Sequence, residues 1–303
     1  MRGNAVVVGS TNGIGKAIAC RLARDGFNIV AVGRDKPGRR EELLSHLAAC
    51  SQSDGARHEF RPCDAFSLAQ VKACAEGVAS DYAREGIDAL VLTQGMATIQ
   101  GFTPTSEEGN DEKKLTLHLW SRIAMANCLL PALRESKCMR GGPVVLSVLS
   151  GGVHGPYAKY KTDPELKNNY SIKAAADFAG FYNDLVLDRM AEKNPSINFV
   201  HASPGFVASN WGTEMPTYLR YPIRFMQRFA MSTDKCAGNM VKPILQCADG
   251  DIGLSTPDGS HGLFIMREKA NSGTLTKGHS DDAIDSAWKA TQDVLNRSGM
   301  ELE

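Results

Sequence analysis

"VVVGSTNGIGKAIA", residues 6–19, decides the fold. A β-branched run, Val6 to Val8, ends in glycine-rich sequence, and helical periodicity begins directly behind it. Gly9, Gly13 and Gly15 have the spacing G-x-x-x-G-x-G. At a strand-to-helix turn, glycines let the backbone approach a pyrophosphate and aim N–H groups at it. Ser10, Thr11, Asn12 and Ile14 complete the loop. It reads as a nucleotide cradle; a merely tight turn is the alternative.

Further along, apolar runs at 28–33, 57–63, 87–93, 142–150, 197–205 and 261–266 alternate with helical patterns. Strands that are apolar throughout and separated by helices imply a parallel sheet covered on both faces. The fold class is therefore α/β, a Rossmann-type doubly wound sheet of about seven strands. We expect one domain over residues 1–303, with a segment inserted at about 210–232 and a helical tail at about 280–298.

The 34 basic and 34 acidic residues balance, and the sequence pI is near 7. That argues against broad attraction to nucleic acid or to an anionic membrane. Eight cysteines show no C-x-x-C pair and fit buried free thiols in a reducing compartment. No run reaches the roughly 18 apolar residues of a membrane span, and the start lacks a signal-peptide core. A cytoplasmic location is the expectation, and a homo-oligomer stays open.

At the end of the second strand, where a carboxylate would hold the ribose hydroxyls of NAD, this chain has Gly33 and Arg34. A guanidinium grips a 2′-phosphate with paired charged hydrogen bonds. NADP(H) is expected over NAD(H), unless Arg34 is an ordinary surface residue.

Taken in order, these motifs resemble the short-chain dehydrogenase/reductase superfamily over about residues 4–266. "GSTNGIG" looks like its glycine motif. Asp64, after the third strand, matches the family's adenine-binding Asp. "SPGFVAS" (203–209) is similar to P-G-x-V-x-T. The resemblance implies nicotinamide contacts from Pro204, Gly205, Val207 and Ser209. There are departures: "LTQG" keeps only Gly95 of N-N-A-G, and His118 occupies the usual Asn slot.

"NNYSIKAAADF" (168–178) supplies a tyrosine with a lysine three places on, where the family uses four. Tyr170 is expected to open a long helix at 169–193. There, i+3 and i+4 both neighbour residue i, so Lys173 could lower the phenol's pKa and reach the cofactor ribose. Tyr157-x-x-x-Lys161 has the family spacing, but Pro164 prevents a long helix there. By position Ser150 matches the family serine, with Ser147 the fallback. His118 is either a titrating relay to Lys173 through water or a packing residue.

Two functions follow. One is an NADP(H)-dependent carbonyl reductase or alcohol dehydrogenase acting on a small-molecule carbonyl or alcohol of apolar character. In it Tyr170 is general acid/base, Lys173 its partner and Ser150 a donor to the carbonyl oxygen. The other is a nucleotide-binding sensor that has lost catalysis. By the resemblance, 211–231 holds the substrate lid, with Trp211, Tyr218, Tyr221, Phe225 and Phe229 lining a pocket. Arg220, Arg224 and Arg228 form a basic stripe there, read as a solvated face, an acidic-substrate site or a membrane-facing surface.

Overall fold

The computed structural model describes residues 2–53, 55–105, 111–209 and 215–303. The chain opens with β1 (Gly3–Val8), α1 (Gly13–Arg24), β2 (Phe27–Gly33), α2 (Arg39–Cys50), β3 (His58–Pro62), α3 (Leu68–Asp81) and β4 (Ala89–Leu92). A short α4 (Lys113–Leu115) passes through a π-helical turn (Thr116–Trp120) into α5 (Ser121–Arg134). Then come β5 (Val144–Val148), α6 (Ile172–Lys193) and β6 (Asn198–Ala202). After these stand α7 (Thr217–Met226), a 3-10 turn (Gln227–Phe229), α8 (Thr233–Met240), α9 (Lys242–Asp249), β7 (Leu263–Met266) and α10 (Asp281–Arg297).

All seven expected strands form, pairing in parallel in the order β3-β2-β1-β4-β5-β6-β7. Strand side chains alternate between two cores. Val6 and Val8 enter one with α3, α5 and α6; Ala5 and Val7 enter the other with α1 and α8. This is why the strands read apolar without alternation. The order reverses between β1 and β4. The crevice outside the carboxyl ends of those strands is where such sheets bind ligands.

The expected helix at 169–193 begins later, at Ile172. Ser171 is extended and its hydroxyl accepts from the Ala174 N–H, a side-chain cap that ends the helix there. Tyr170 therefore lies outside α6, and the helical-face argument for its pairing with Lys173 does not apply. Residues 210–214, including Trp211 of the expected lid, lie outside the described residues. Among the described residues every cysteine is free, and no helix is long and apolar enough to cross a membrane.

Candidate active site at the carboxyl edge of the sheet

The loop between β1 and α1 is packed to the limit. A Cβ on Gly15 would lie 2.3 Å from the Gly9 carbonyl oxygen. Gly9 itself has φ +84°, and a Cβ there would meet the Gln94 nitrogen at 2.8 Å. Only glycine serves at these two points. Asn12 caps α1, its Oδ1 accepting from the Gly13 N–H at 2.8 Å. Across the crevice, Ser209 lies 3.6 Å from where a Gly13 Cβ would be. The "GSTNGIG" and "SPGFVAS" motifs thus face each other, as a clamp on one dinucleotide requires. The loop fits that cofactor: its glycines let α1 start hard against β1 and β4, with the helix N-terminus at the carboxyl edge of the sheet.

At the corner beside β2, Arg34 is exposed and its guanidinium carbon stands 5.9 Å from the centre of the Phe66 ring. Asp64 belongs to the same corner, with its Oδ1 accepting from the Phe66 N–H at 3.2 Å. Pro204 and Gly205 follow β6. Val207 is buried in a bridge to Met231, and Ser209 closes the turn.

Ser150 sits two residues past the end of β5, its Oγ buried without a hydrogen-bond partner. A Cβ on Gly180 of α6 would fall 2.5 Å from both that oxygen and His154 Cγ, so these two side chains are neighbours across Gly180. Ser147, the fallback, is fully committed. It accepts from Arg122 Nη1 and donates to Asn183 Oδ1, each at 2.9 Å.

Tyr170 and Lys173 are not brought together. The Lys173 side chain is 84% exposed and ion-paired with Asp177. The Tyr170 hydroxyl is buried without a hydrogen-bond partner, and its ring packs edge-on against Phe102. Burial, followed by the nearby Glu112 carboxylate, pushes the phenol's pKa up. The cation beside Tyr170 is Lys114, 5.4 Å from the ring centre and paired at 2.6 Å with Glu112. Gly180, against which Ser150 rests, is eight residues into α6 beyond Ile172, about 12 Å of helical rise from the helix start. Tyr157 donates to the Asp163 carbonyl at 2.8 Å, outside any helix.

His118 stands in the π-helical turn, a geometry frequent at functional positions. Its Nε2 accepts from the Met96 N–H at 3.0 Å and presses on Gly95. Burial, then the charges of Arg122 and Lys114, lowers its pKa to about 3. A neutral imidazole near pH 7 favours the packing role over the titrating relay.

A family model for short chain dehydrogenases matches residues 3–160, more than half of the chain. The chain belongs to the short-chain dehydrogenase family. It is 25% identical over 311 aligned positions to the NmrA-like family domain-containing oxidoreductase notO of Aspergillus sp. (strain MF297-2), covering 96% of this chain and 88% of that one. NADPH-bound carbonyl reductase from chicken fatty liver superposes with a TM-score of 0.60 at 16% identity, over 91% of this chain and 99% of that one. The 3-oxoacyl-[acyl-carrier protein] reductase from Brucella melitensis, in complex with NAD, does so at 0.54 and 18%, over 82% and 94%. These likenesses establish the dehydrogenase fold; structures of both cofactor types share it.

Three polar groups at this edge escaped the sequence reading. Arg122 is fully buried, its guanidinium donating to the Leu92, Gln94 and Val148 carbonyls and to Ser147. Asn183 donates to the His118 carbonyl at 3.0 Å. Asp184 holds His154 and His201. The available signal was polarity inside apolar helices: "SRIAMANC" and "YNDLVLD" each place such residues where an amphipathic pattern has none.

Proposed function

We propose that this dehydrogenase is an NADP(H)-linked carbonyl reductase or alcohol dehydrogenase with an apolar substrate. The observation that carries it is the glycine cradle facing Ser209, with Arg34 standing free at the ribose corner. When bound, the nicotinamide exchanges hydride with a carbonyl or carbinol carbon. Gly9 to Gly15 hold the pyrophosphate, Arg34 the 2′-phosphate and Asp64 the adenine. Gly95, Pro204, Gly205, Val207 and Ser209 border the nicotinamide half.

In this reading Ser150 Oγ, unpartnered in its buried niche, donates to the substrate oxygen. Tyr170, kept protonated by its raised pKa, is the acid once the segment before α6 brings its hydroxyl to that oxygen on substrate binding. Lys173 serves the Asp177 turn instead of the phenol. Among the described residues, the exposed large hydrophobic side chains all lie on connections that leave the carboxyl ends of β4, β5 and β6. Phe102, Phe206, Tyr221 and Phe229 are examples, and an apolar rim suits an apolar substrate.

A second reading, a nucleotide-binding sensor without turnover, is favoured by one observation: Lys173 is paired away from Tyr170. Calorimetric titration with NADPH and NADH, beside a turnover screen of bulky apolar ketones and aldehydes, separates the two. Turnover that Tyr170→Phe abolishes while NADPH still binds supports the reductase. Tight binding with no turnover of any carbonyl establishes the sensor.

A further inference from the structure

Behind Ser150 lies a buried chain of three side chains. Asp184 on α6 accepts from His201 Nδ1 at 2.5 Å and from His154 Nε2 at 2.8 Å. The two rings stack 5.9 Å apart. Asp184 and His201 are fully buried, and the His154 side chain is 1% exposed.

Two imidazoles and a carboxylate have the composition of a metal site. The hydrogen bonds assign the protons differently. The Ser150 N–H donates to His201 Nε2 at 3.2 Å. That nitrogen is therefore a lone pair, Nδ1 carries the hydrogen that reaches Asp184, and His201 is neutral with both nitrogens committed. For His154 the partners are of another kind. Nε2 faces the Asp184 carboxylate and Nδ1 faces the Gly155 carbonyl at 3.1 Å, and neither partner can donate. With Thr276 Oγ1, 3.3 Å from each ring nitrogen, turning its own hydrogen to the His154 carbonyl, both nitrogens carry hydrogen and the ring is an imidazolium.

Charge balance agrees. A fully buried carboxylate needs a compensating charge. Arg122 keeps its charge but makes its hydrogen bonds to three carbonyls and Ser147, whereas His154 is bonded to Asp184 directly. The charged and titratable groups around His154 are Asp184 and Asp177 from α6 and His201 from β6, with Arg122 beyond His201. Asp177 accepts the Gly155 N–H at 2.8 Å and is itself paired with Lys173. The loop after β7 contributes only neutral Thr276. Burial by itself would lower the His154 pKa, but the hydrogen bond and charge of Asp184 outweigh it and hold it above the ordinary value.

We propose that His154 is a positioning residue that carries a standing positive charge beside Ser150. Its imidazolium keeps Asp184 ionised. Ionised Asp184 fixes the Nδ1–H tautomer of His201, and that tautomer leaves Nε2 free to accept the Ser150 N–H. The consequence is an alkaline limit: when His154 loses its proton, Nδ1 can no longer donate to Gly155, and the turn carrying Ser150 is released. This rests on Ser150 being the substrate-facing hydroxyl, but the protonation state stands apart from that reading.

Histidine NMR on the full chain tests the charge without needing turnover. His154 should titrate above about 6.5, the ordinary histidine value. Asp184→Asn should lower it by about one unit or more. If Asp184→Asn fails to fold, Asp177→Asn, at a partly exposed site, should lower it by less but measurably. Titration at or below the ordinary value, or indifference to both variants, overturns the proposal. So does zinc binding that shifts the His154 and His201 signals together. In kinetics, His154→Gln should reduce kcat about tenfold and remove the alkaline limb, with KM and NADPH affinity within about twofold. An unchanged pH profile in that variant overturns the positioning role even where the NMR supports the charge. If Ser150→Ala has no effect on turnover while the NMR result holds, it is the serine assignment that falls.

Discussion

The Lys114 ammonium stands 5.4 Å from the centre of the Tyr170 ring, while Lys173 is bonded to Asp177 and faces solvent. An exposed ion pair contributes little, about 0–1 kcal/mol. Lys173→Ala should therefore leave NADPH affinity and turnover within about twofold of the parent. Lys114→Met should be far more damaging, because it strands the buried Glu112 carboxylate, at a cost on the order of 3–5 kcal/mol. Chemical unfolding and turnover measured on the two variants decide this. A tenfold loss in Lys173→Ala would mean that the side chain leaves Asp177 for the phenol.

Arg34 should set cofactor choice. Its guanidinium is exposed and lies over Phe66, free to grip a phosphate. NADPH should bind about tenfold or more tightly than NADH, a difference of roughly 1.4 kcal/mol. Arg34→Asp should reverse the order by repelling the 2′-phosphate and offering the ribose hydroxyls an acceptor. Equal affinities in the parent protein would remove the assignment.

The two serines of "VVLSVLS" should separate cleanly. Ser150→Ala deletes an unpartnered hydroxyl, so turnover should fall sharply while stability and NADPH affinity hold. Ser147→Ala deletes the bridge between Arg122 and Asn183. It should cost about 1–3 kcal/mol of stability, since buried partners are left unsatisfied. Thermal melts and kcat on both variants provide the check, and a larger kcat loss at Ser147 would reverse the roles.

What the sequence disclosed follows the range of the forces involved. The seven strands and the cradle were legible because each is a local pattern, a β-branched run or a glycine spacing. The start of α6 was missed by a few residues because one hydroxyl, Ser171, outweighs the helical propensity of its neighbours. That small shift removed Tyr170 from the helix and with it the expected pairing. The place of Lys114 beside Tyr170, the bonds of Arg122 and the His154–Asp184–His201 chain were invisible because the groups that meet there lie far apart in sequence. His154 and Asp184, for example, meet only when the loop after β5 folds over α6. Burial, which sets the state of His118, is likewise a property of the assembled core.

His118 should leave its mark on acid stability. Its folded-state pKa is lowered to about 3, first by burial and then by Arg122 and Lys114. The unfolded chain should titrate near the ordinary value of about 6.5. A depressed pKa means stability that is fully present above the unfolded value and lost as pH falls. Between about pH 6.5 and 3 the unfolded state binds a proton that the folded state refuses, a slope of up to about 1.4 kcal/mol per pH unit. His201, also lowered by burial, acts in the same direction, so the total slope will exceed that of one group. His118→Asn keeps an acceptor for the Met96 N–H but removes the titration. Urea unfolding at pH 7 and pH 5 should therefore show a smaller loss in the variant than in the parent, with the carboxylates cancelling between them. Equal losses would show that His118 takes a proton in the folded state, and the relay role that its position first suggested would be open to it again.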